Sequence, residues 1–340
     1  MSTSFVQLAT ATDTVAPDPT KHVNYTLGML LGVDDFNQEF AYLSGRNQWL
    51  ARDAIGYGTL NGLRVSLDTT ARGPRVSITA GTALSPRGQL IRMQPAQCAY
   101  LNDWLAANPS QTESLIDTTS GSLLRLSLVL CYRQCPTDPV PIAGEPCRSA
   151  ADLMANSRLT DDFSLELRIT PPVQQEEDAV RDFVAWLDQI QVTDNEGDFP
   201  TLADFEQALR AALVPSSPLD AGSSFQFGSP LAGIQIHPAD LGEYMRAAIR
   251  IWVTEIRPLF HAEWSSQGCG CGGAAETTNP LADECLLLAE IDVPVINAGP
   301  GENWVVDSSQ PVTLDESRRP ILLHVRMQQE WLQSGLGSGK

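Results

Sequence analysis

From Leu63 to Met93 the apolar residues fall on alternate positions. The runs "RVSLD", "RVSITAG" and "GQLIRM" each switch side with every residue, and "TTARGP" and "SPRG" separate them. A period of two places successive side chains on opposite faces of a strand, so these segments demand a sheet with one buried face. The separators are rich in Gly and Pro and short enough to reverse the chain, which predicts a small antiparallel β unit. Further strands are expected at "LLRLSLVLCYRQC" (Leu123 to Cys135), running into the proline-rich loop "PTDPVPIAGEPC". Others are expected at "DDFSLELRITPP", stopped by Pro171 and Pro172, and at "CLLLAEIDVPVI". "NWVVD", "QPVTLD" and "PILLHVRM" read as short strands, the last running into a terminal turn of helix.

Helical spacing interrupts this pattern. Asp35 with Gln38 three residues on has the spacing of a capping box. Phe36, Phe40, Leu43, Leu50 and Ala54 then share one face, which predicts that Phe36, Phe40 and Leu43 are core. "AYLNDWLAANP" predicts a short helix closed by Pro109. "QEEDAVRDFVAWLDQIQV" puts Val180, Phe183, Val184, Leu187 and Ile190 on one face. "PTLADFEQALRAALVP" starts near Thr201. "HPADLGEYMRAAIRIWVTEIRPLF" carries Pro238 in its first turn and Leu241, Met245, Ala248, Trp252 and Ile256 along one side. The fold class expected is α+β, with small antiparallel β units combined with several amphipathic helices. Four regions follow: an extended N-terminal arm over 1–22, a helix plus antiparallel β domain over 23–172, a helical region over 173–262, and a Cys/Gly turn with a C-terminal β segment over 263–340. Residues 215–233 read as a long loop.

Among the 340 residues the formal net charge is −19, which opposes binding to nucleic acid or anionic lipid through a basic surface. The first residues lack a basic start followed by an apolar core, and no apolar run approaches the length of a membrane span. The expected setting is cytoplasmic. No nucleophile elbow, phosphate loop, zinc-protease helix or dinucleotide fingerprint occurs. The histidines His22, His237, His261 and His324 stand in no catalytic order. His324 is expected in a strand. The acidic pairs Glu176–Glu177 and Asp161–Asp162 are expected at element starts, where capping explains them. An enzyme is not expected.

The seven cysteines are clustered. Cys131 and Cys135 end a strand and Cys147 closes the loop after it. Cys269 and Cys271 lie in "GCGCGG", and Cys285 begins a strand. Four thiolates suit a closed tetrahedral zinc site, and glycines free the backbone to wrap an ion. The metal set expected is Cys135, Cys147, Cys269 and Cys271, with Cys285 or Cys131 able to replace one of them and zinc in a structural role. Disulfides and unlinked thiols stay open as alternatives, with Cys98 and Cys131 as candidates for buried apolar cysteines.

"GMLLGVDDFNQEFAYLSGRNQWL" resembles the opening motif of a family encoded with phage-tail-like contractile injection systems. The positions that carry it are Gly28, Met29, Leu30, Leu31, Asp35, Phe36, Glu39 and Tyr42, then Gly62, Leu63 and Val65. "ITAGTALSPRGQLI", "YRQCPTDPVPIAGEPCR" and the late cysteine cluster before an apolar strand are similar to the family too. The resemblance implies a structural or adaptor component of such a particle, at or near the baseplate. Its partners would be baseplate, sheath or tube proteins in a multimeric assembly, built in the cytoplasm and open to release with the particle. The alternative is a metal-dependent soluble enzyme or effector cargo.

Overall fold

The computed structural model describes residues 17–116, 122–141, 154–194, 199–212, 234–258, 260, 285–297 and 304–333. The alternating region folds into two three-stranded antiparallel sheets. Strands β1 (Gly58–Gly62), β4 (Gly81–Leu84) and β5 (Leu90–Met93) form one, in the order β1-β4-β5. Strands β2 (Val65–Thr70), β3 (Gly73–Ile78) and β6 (Gln97–Tyr100) form the other, in the order β2-β3-β6. Gly62 and Gly81 pass so close that a Cβ on Gly62 would lie 2.2 Å from the Ala80 carbonyl oxygen. Only glycine fits there, and its φ of +62° also suits it.

The central sheet joins distant segments. Strand β7 (Leu123–Pro141) lies between β8 (Met154–Arg168) and β11 (Cys285–Asn297), and β11 pairs further with β12 (Trp304–Val306) and β13 (Thr313–Asp315). All these pairings are antiparallel. On β7 the residues Leu124, Leu126, Leu128 and Leu130 point into the main core, opposite Leu286, Ile291 and Val293 of β11. The register shifts between Leu287 and Ala289, so Leu288 is an extra residue and both Leu288 and Ala289 reach the same core. Each such leucine, buried from water, contributes about 1.5–3 kcal/mol.

Strands β7 and β8 run past the sheet. Their pairing continues from Ser127↔Arg168 to Pro141↔Met154, whereas β11 accompanies β7 only as far as Cys131. Residues 132–141 and 154–163 therefore form a two-stranded ribbon, roughly 33 Å long at about 3.3 Å per residue. The expected loop over "PTDPVP" is thus strand. Pro136, Pro139 and Pro141 are tolerated because, among the described residues, this part of β7 has a neighbour on one side only, so a missing N–H interrupts no second ladder.

The helices fall into two groups. Helix α2 (Leu101–Ala107) buries Leu101 and Leu105 in the β core, and its Trp104 indole N–H donates to the Leu167 carbonyl at 3.1 Å. Pro109 does not end the helical chain. It opens α3 (Pro109–Leu115), where its missing N–H costs nothing. A separate core gathers α4 (Gln175–Asp188), α5 (Leu202–Ala212) and α6 (Leu241–Ile251) around Ala179, Phe183, Trp186, Phe205, Leu209, Ala248 and Ile251. Thr201 and Asp204 cap α5 reciprocally: the Asp204 N–H donates to Thr201 Oγ1 and the Thr201 N–H donates to Asp204 Oδ2. On α4 Phe183, Leu187 and Ile190 pack into this core as expected, joined by Ala179 and Trp186, while Val180 and Val184 face water. A two-residue parallel pair, β9 (Gln191–Val192) with β10 (Gln235–Ile236), closes this layer. The fold is α+β.

The first turn of α4 ties the two cores together. Glu176 pairs with Arg257 at 2.8 Å, and Arg257 also donates to the Asp53 carbonyl. Asp178 pairs with Arg181 at 3.1 Å and with Arg318 at 2.9 Å, and Arg318 reaches Glu290 of β11 at 3.3 Å. Glu176 thus bridges elements, which is more than the capping role expected for it, and Asp178 does the same. Glu177 between them is half-buried, and desolvation, with Glu176 and Asp178 beside it, pushes its carboxyl up to about 7. The Tyr57 phenol, buried against the same acidic turn, is likewise held above its usual range.

Candidate functional site: an exposed apolar helix face

Helix α1 (Val33–Leu50) is continuous with a wider π turn at Ala51–Ile55. It begins at Gly32, whose N–H donates to Asp35 Oδ2 at 2.8 Å. The Gln38 expected to complete a cap serves elsewhere. Its amide donates to the carbonyls of Asp18 and Lys21, and its oxygen accepts from the Asp18 N–H at 3.0 Å. Glu39 accepts from the Val23 N–H at 3.0 Å. Pro19 sits against Gly45, where a Cβ would come within 2.6 Å of the proline Cβ. Residues 17–23 therefore cover one side of α1, and Gly45 is the buried residue of that helix.

The other side is bare. Phe36, Phe40 and Leu43 are 61%, 64% and 55% exposed, which corrects their expected place in the core. The periodicity was sound, but the core of the β domain is already filled by the sheets and α2, so this face meets water. Val33 and Leu50 extend the strip at either end, and Leu27 and Leu30, in the segment leading into α1, stand almost fully in solvent. Near the far end of α1 the chain emerges again. Ile321 bridges to Thr59, Leu322 approaches Gly56, and α7 (Val325–Gln333) follows with Val325 and Met327 exposed. His324 is at the start of that helix rather than in a strand, its Nδ1 accepting from the Arg326 N–H at 3.1 Å.

The cysteines separate in the structure. Cys131 and Cys285, opposite one another on β7 and β11, form a disulfide with a Cα–Cα distance of 4.1 Å. They join Val129 and Leu287 in a small buried cluster, and the Arg168 guanidinium donates to both sulfurs, at 3.5 and 3.1 Å. Neither can then stand in as a metal ligand. Cys135 is a half-buried free thiol on the ribbon, 3.5 Å from Asp162 Oδ2. Cys147, Cys269 and Cys271 lie outside the described residues. Cys98 is free and exposed rather than buried. Among the described residues no group of three or more His, Cys, Asp or Glu side chains converges as a metal site. Asp161 and Asp162 lie inside β8, not at its start, and Asp161 accepts the Tyr132 hydroxyl at 2.5 Å.

A cleft of about 590 Å³ opens between the β2–β3 hairpin and residues 306–312, lined by Asp68, Thr70, Asn102, Asp307 and Ser309 among others. Asp307 there caps its own turn, accepting from the Ser309 N–H and hydroxyl, which holds its carboxyl below the usual range. That ionised carboxylate is engaged in the backbone and is poorly placed as a base. His237 accepts from the Ala239 N–H and serves a turn. The extended apolar strip of α1 is the feature of this surface that calls for a partner.

No protein-family model matches the chain, and no curated protein matches it. Among solved structures it is similar to a crystal structure of TssK, at 15% identity and a TM-score of 0.23. That match covers 72% of this chain and 56% of the TssK chain, so the chain spans little more than half of that relative's length. It is also similar to a chain of the baseplate complex from the type VI secretion system, at 11% identity and a TM-score of 0.24, covering 76% of this chain and 93% of that one. At these scores neither likeness carries an argument. No described helix is long and apolar enough to cross a membrane.

Proposed function

We propose that this chain is a structural or adaptor component of a contractile injection system or phage-tail-like particle, associated with the baseplate and acting by assembly with other particle proteins. The observation that carries the proposal is the bare apolar face of α1. Its first part, with Phe36 and Phe40, falls within the stretch Gly28 to Tyr42, one of the stretches that carry the sequence resemblance. A motif that leaves Phe36 and Phe40 in water makes physical sense where another protein covers them. The ribbon of β7 and β8 offers a second surface, an extended arm able to lie along a neighbour. The net charge of −19 suits basic protein partners and disfavours nucleic acid.

The test is purification of intact particles from cells that encode such a system, followed by quantitation of this chain. A fixed copy number that survives washing in high salt supports the proposal. Particles free of the chain, with all of it recovered in the unassembled fraction, would end it. Structural zinc held by Cys135, Cys147, Cys269 and Cys271 is part of the same proposal and has its own check. Elemental analysis of protein purified under reducing conditions should find one zinc per chain, and Cys269→Ser should lower it. Metal well below stoichiometry in the unaltered chain would remove zinc while leaving the assembly role standing.

A further inference from the structure

The exposed residues of α1 repeat more strictly than an ordinary amphipathic helix. Val33, Phe36, Phe40, Leu43, Asn47 and Leu50 follow at alternating steps of three and four, the spacing of the a and d positions of a coiled-coil seam, from the first residue of the helix to the last. All six are exposed, the five apolar ones between 55% and 75%. The positions farthest from this seam are Gln38 and Gly45. Those are the two that residues 17–21 hold from behind. The chain thus braces the back of α1 with its own segment and presents the seam outward.

We infer that α1 pairs with α1 of a second copy of this chain, parallel and in register, through this seam. Asn47 selects the occupant. An amide enclosed in an apolar seam needs a hydrogen-bonding partner, and in a parallel, in-register pair the Asn47 of the other copy stands at the same level. The a positions are Val33, Phe40 and Asn47 and the d positions Phe36, Leu43 and Leu50, and a single Asn at an a position is the feature that specifies register and the number of strands. Phe36 and Phe40, 61% and 64% exposed, are the large surfaces of the seam, and exposed aromatic side chains are the anchors that interfaces favour. The pairing does not depend on the particle assignment, and it is tested on the isolated chain.

The experiment is sedimentation equilibrium of the full chain under reducing conditions across a concentration series from ~1 to ~50 μM. A species of twice the 36.9 kDa chain mass is expected. Phe40→Glu should weaken association by at least ~30-fold, the loss expected for a central interface anchor. Diluted below the association range, its thermal melt should match that of the unaltered chain, since Phe40 supports no core. Leu43→Gln reads the same point if Phe40→Glu does alter the melt. Asn47→Leu should keep the association and release the two-chain limit, giving heavier species. An unaltered chain that stays monomeric throughout would overturn the inference, including the case where α1 is covered by a different protein. So would a dimer that Phe40→Glu and Leu43→Gln leave intact, because that dimer would use another face.

Discussion

Pro19 lies so close to Gly45 that a single added carbon on the glycine would sit 2.6 Å from the proline Cβ. Two effects oppose each other when Gly45 is changed to Ala. Alanine favours the helix by about 1 kcal/mol, while the clash is relieved by moving residues 17–23, which are joined to α1 by few hydrogen bonds. Gly45→Ala is therefore expected to leave global stability unchanged or slightly raised while releasing the segment. Limited trypsin digestion should cut after Lys21 faster in the variant. An unchanged cleavage rate would show that the segment is not held there.

Arg319 is 8% exposed and spends its guanidinium on Thr59 Oγ1, the Leu63 carbonyl and Glu316. Leu63 has a left-handed backbone, φ +54°, so its carbonyl is positioned by an unusual turn that the arginine secures. Arg319→Met leaves two buried acceptors without donors and is expected to cost about 2–4 kcal/mol in urea unfolding. Arg319→Lys should recover little of it, since one ammonium cannot reach along three directions with a planar fork. A loss below ~0.5 kcal/mol would contradict this account.

Glu177 gives a signed dependence on pH. Its carboxyl is pushed from 4.5 up to about 7 in the folded chain, with burial as the main cause. The folded state therefore holds a proton that the unfolded chain has released. Stability should fall as pH rises from about 4.5 through about 7, and the penalty is complete above that window. Glu177→Gln removes it, so the variant should be more stable at pH 8, by on the order of 2 kcal/mol, and indistinguishable at pH 4. Chemical denaturation at both values is the measurement.

The Cys131–Cys285 disulfide joins residues 154 apart in sequence. Protein denatured without reductant should titrate two fewer thiols than the seven cysteines of the chain. Reduction should lower unfolding stability by about 2–4 kcal/mol. Because both sulfurs are buried beside Val129 and Leu287, the Cys131→Ala/Cys285→Ala chain should still fold, with β11 still paired to β7. Seven titratable thiols in protein prepared without reductant would rule the bond out.

Local pattern revealed the strands well. Period-two alternation located β2, β3 and β5, and the leucine run located the inner face of β7. It misplaced what depends on neighbours. Pro136, Pro139 and Pro141 signal a loop in isolation, yet one-sided pairing lets them stay in a strand. The face of α1 was found from its spacing, but spacing cannot say what an apolar face packs against. The alternating three-four steps from Val33 to Leu50 are the sequence feature on which the proposed pairing of α1 rests. Glu176 reads as a cap because its ion-pair partner, Arg257, is remote in sequence. Cys131 and Cys285 are likewise brought together by sheet register alone.

The ribbon beyond Cys131 is secured at its root and by its own ladder, with no third strand alongside among the described residues. A substitution near Pro139 or Asn156 therefore disturbs nothing in the leucine core, and a substitution in the core does not re-aim the far end. Such a projection can diversify quickly. Its outer residues can vary while the body that carries them stays the same.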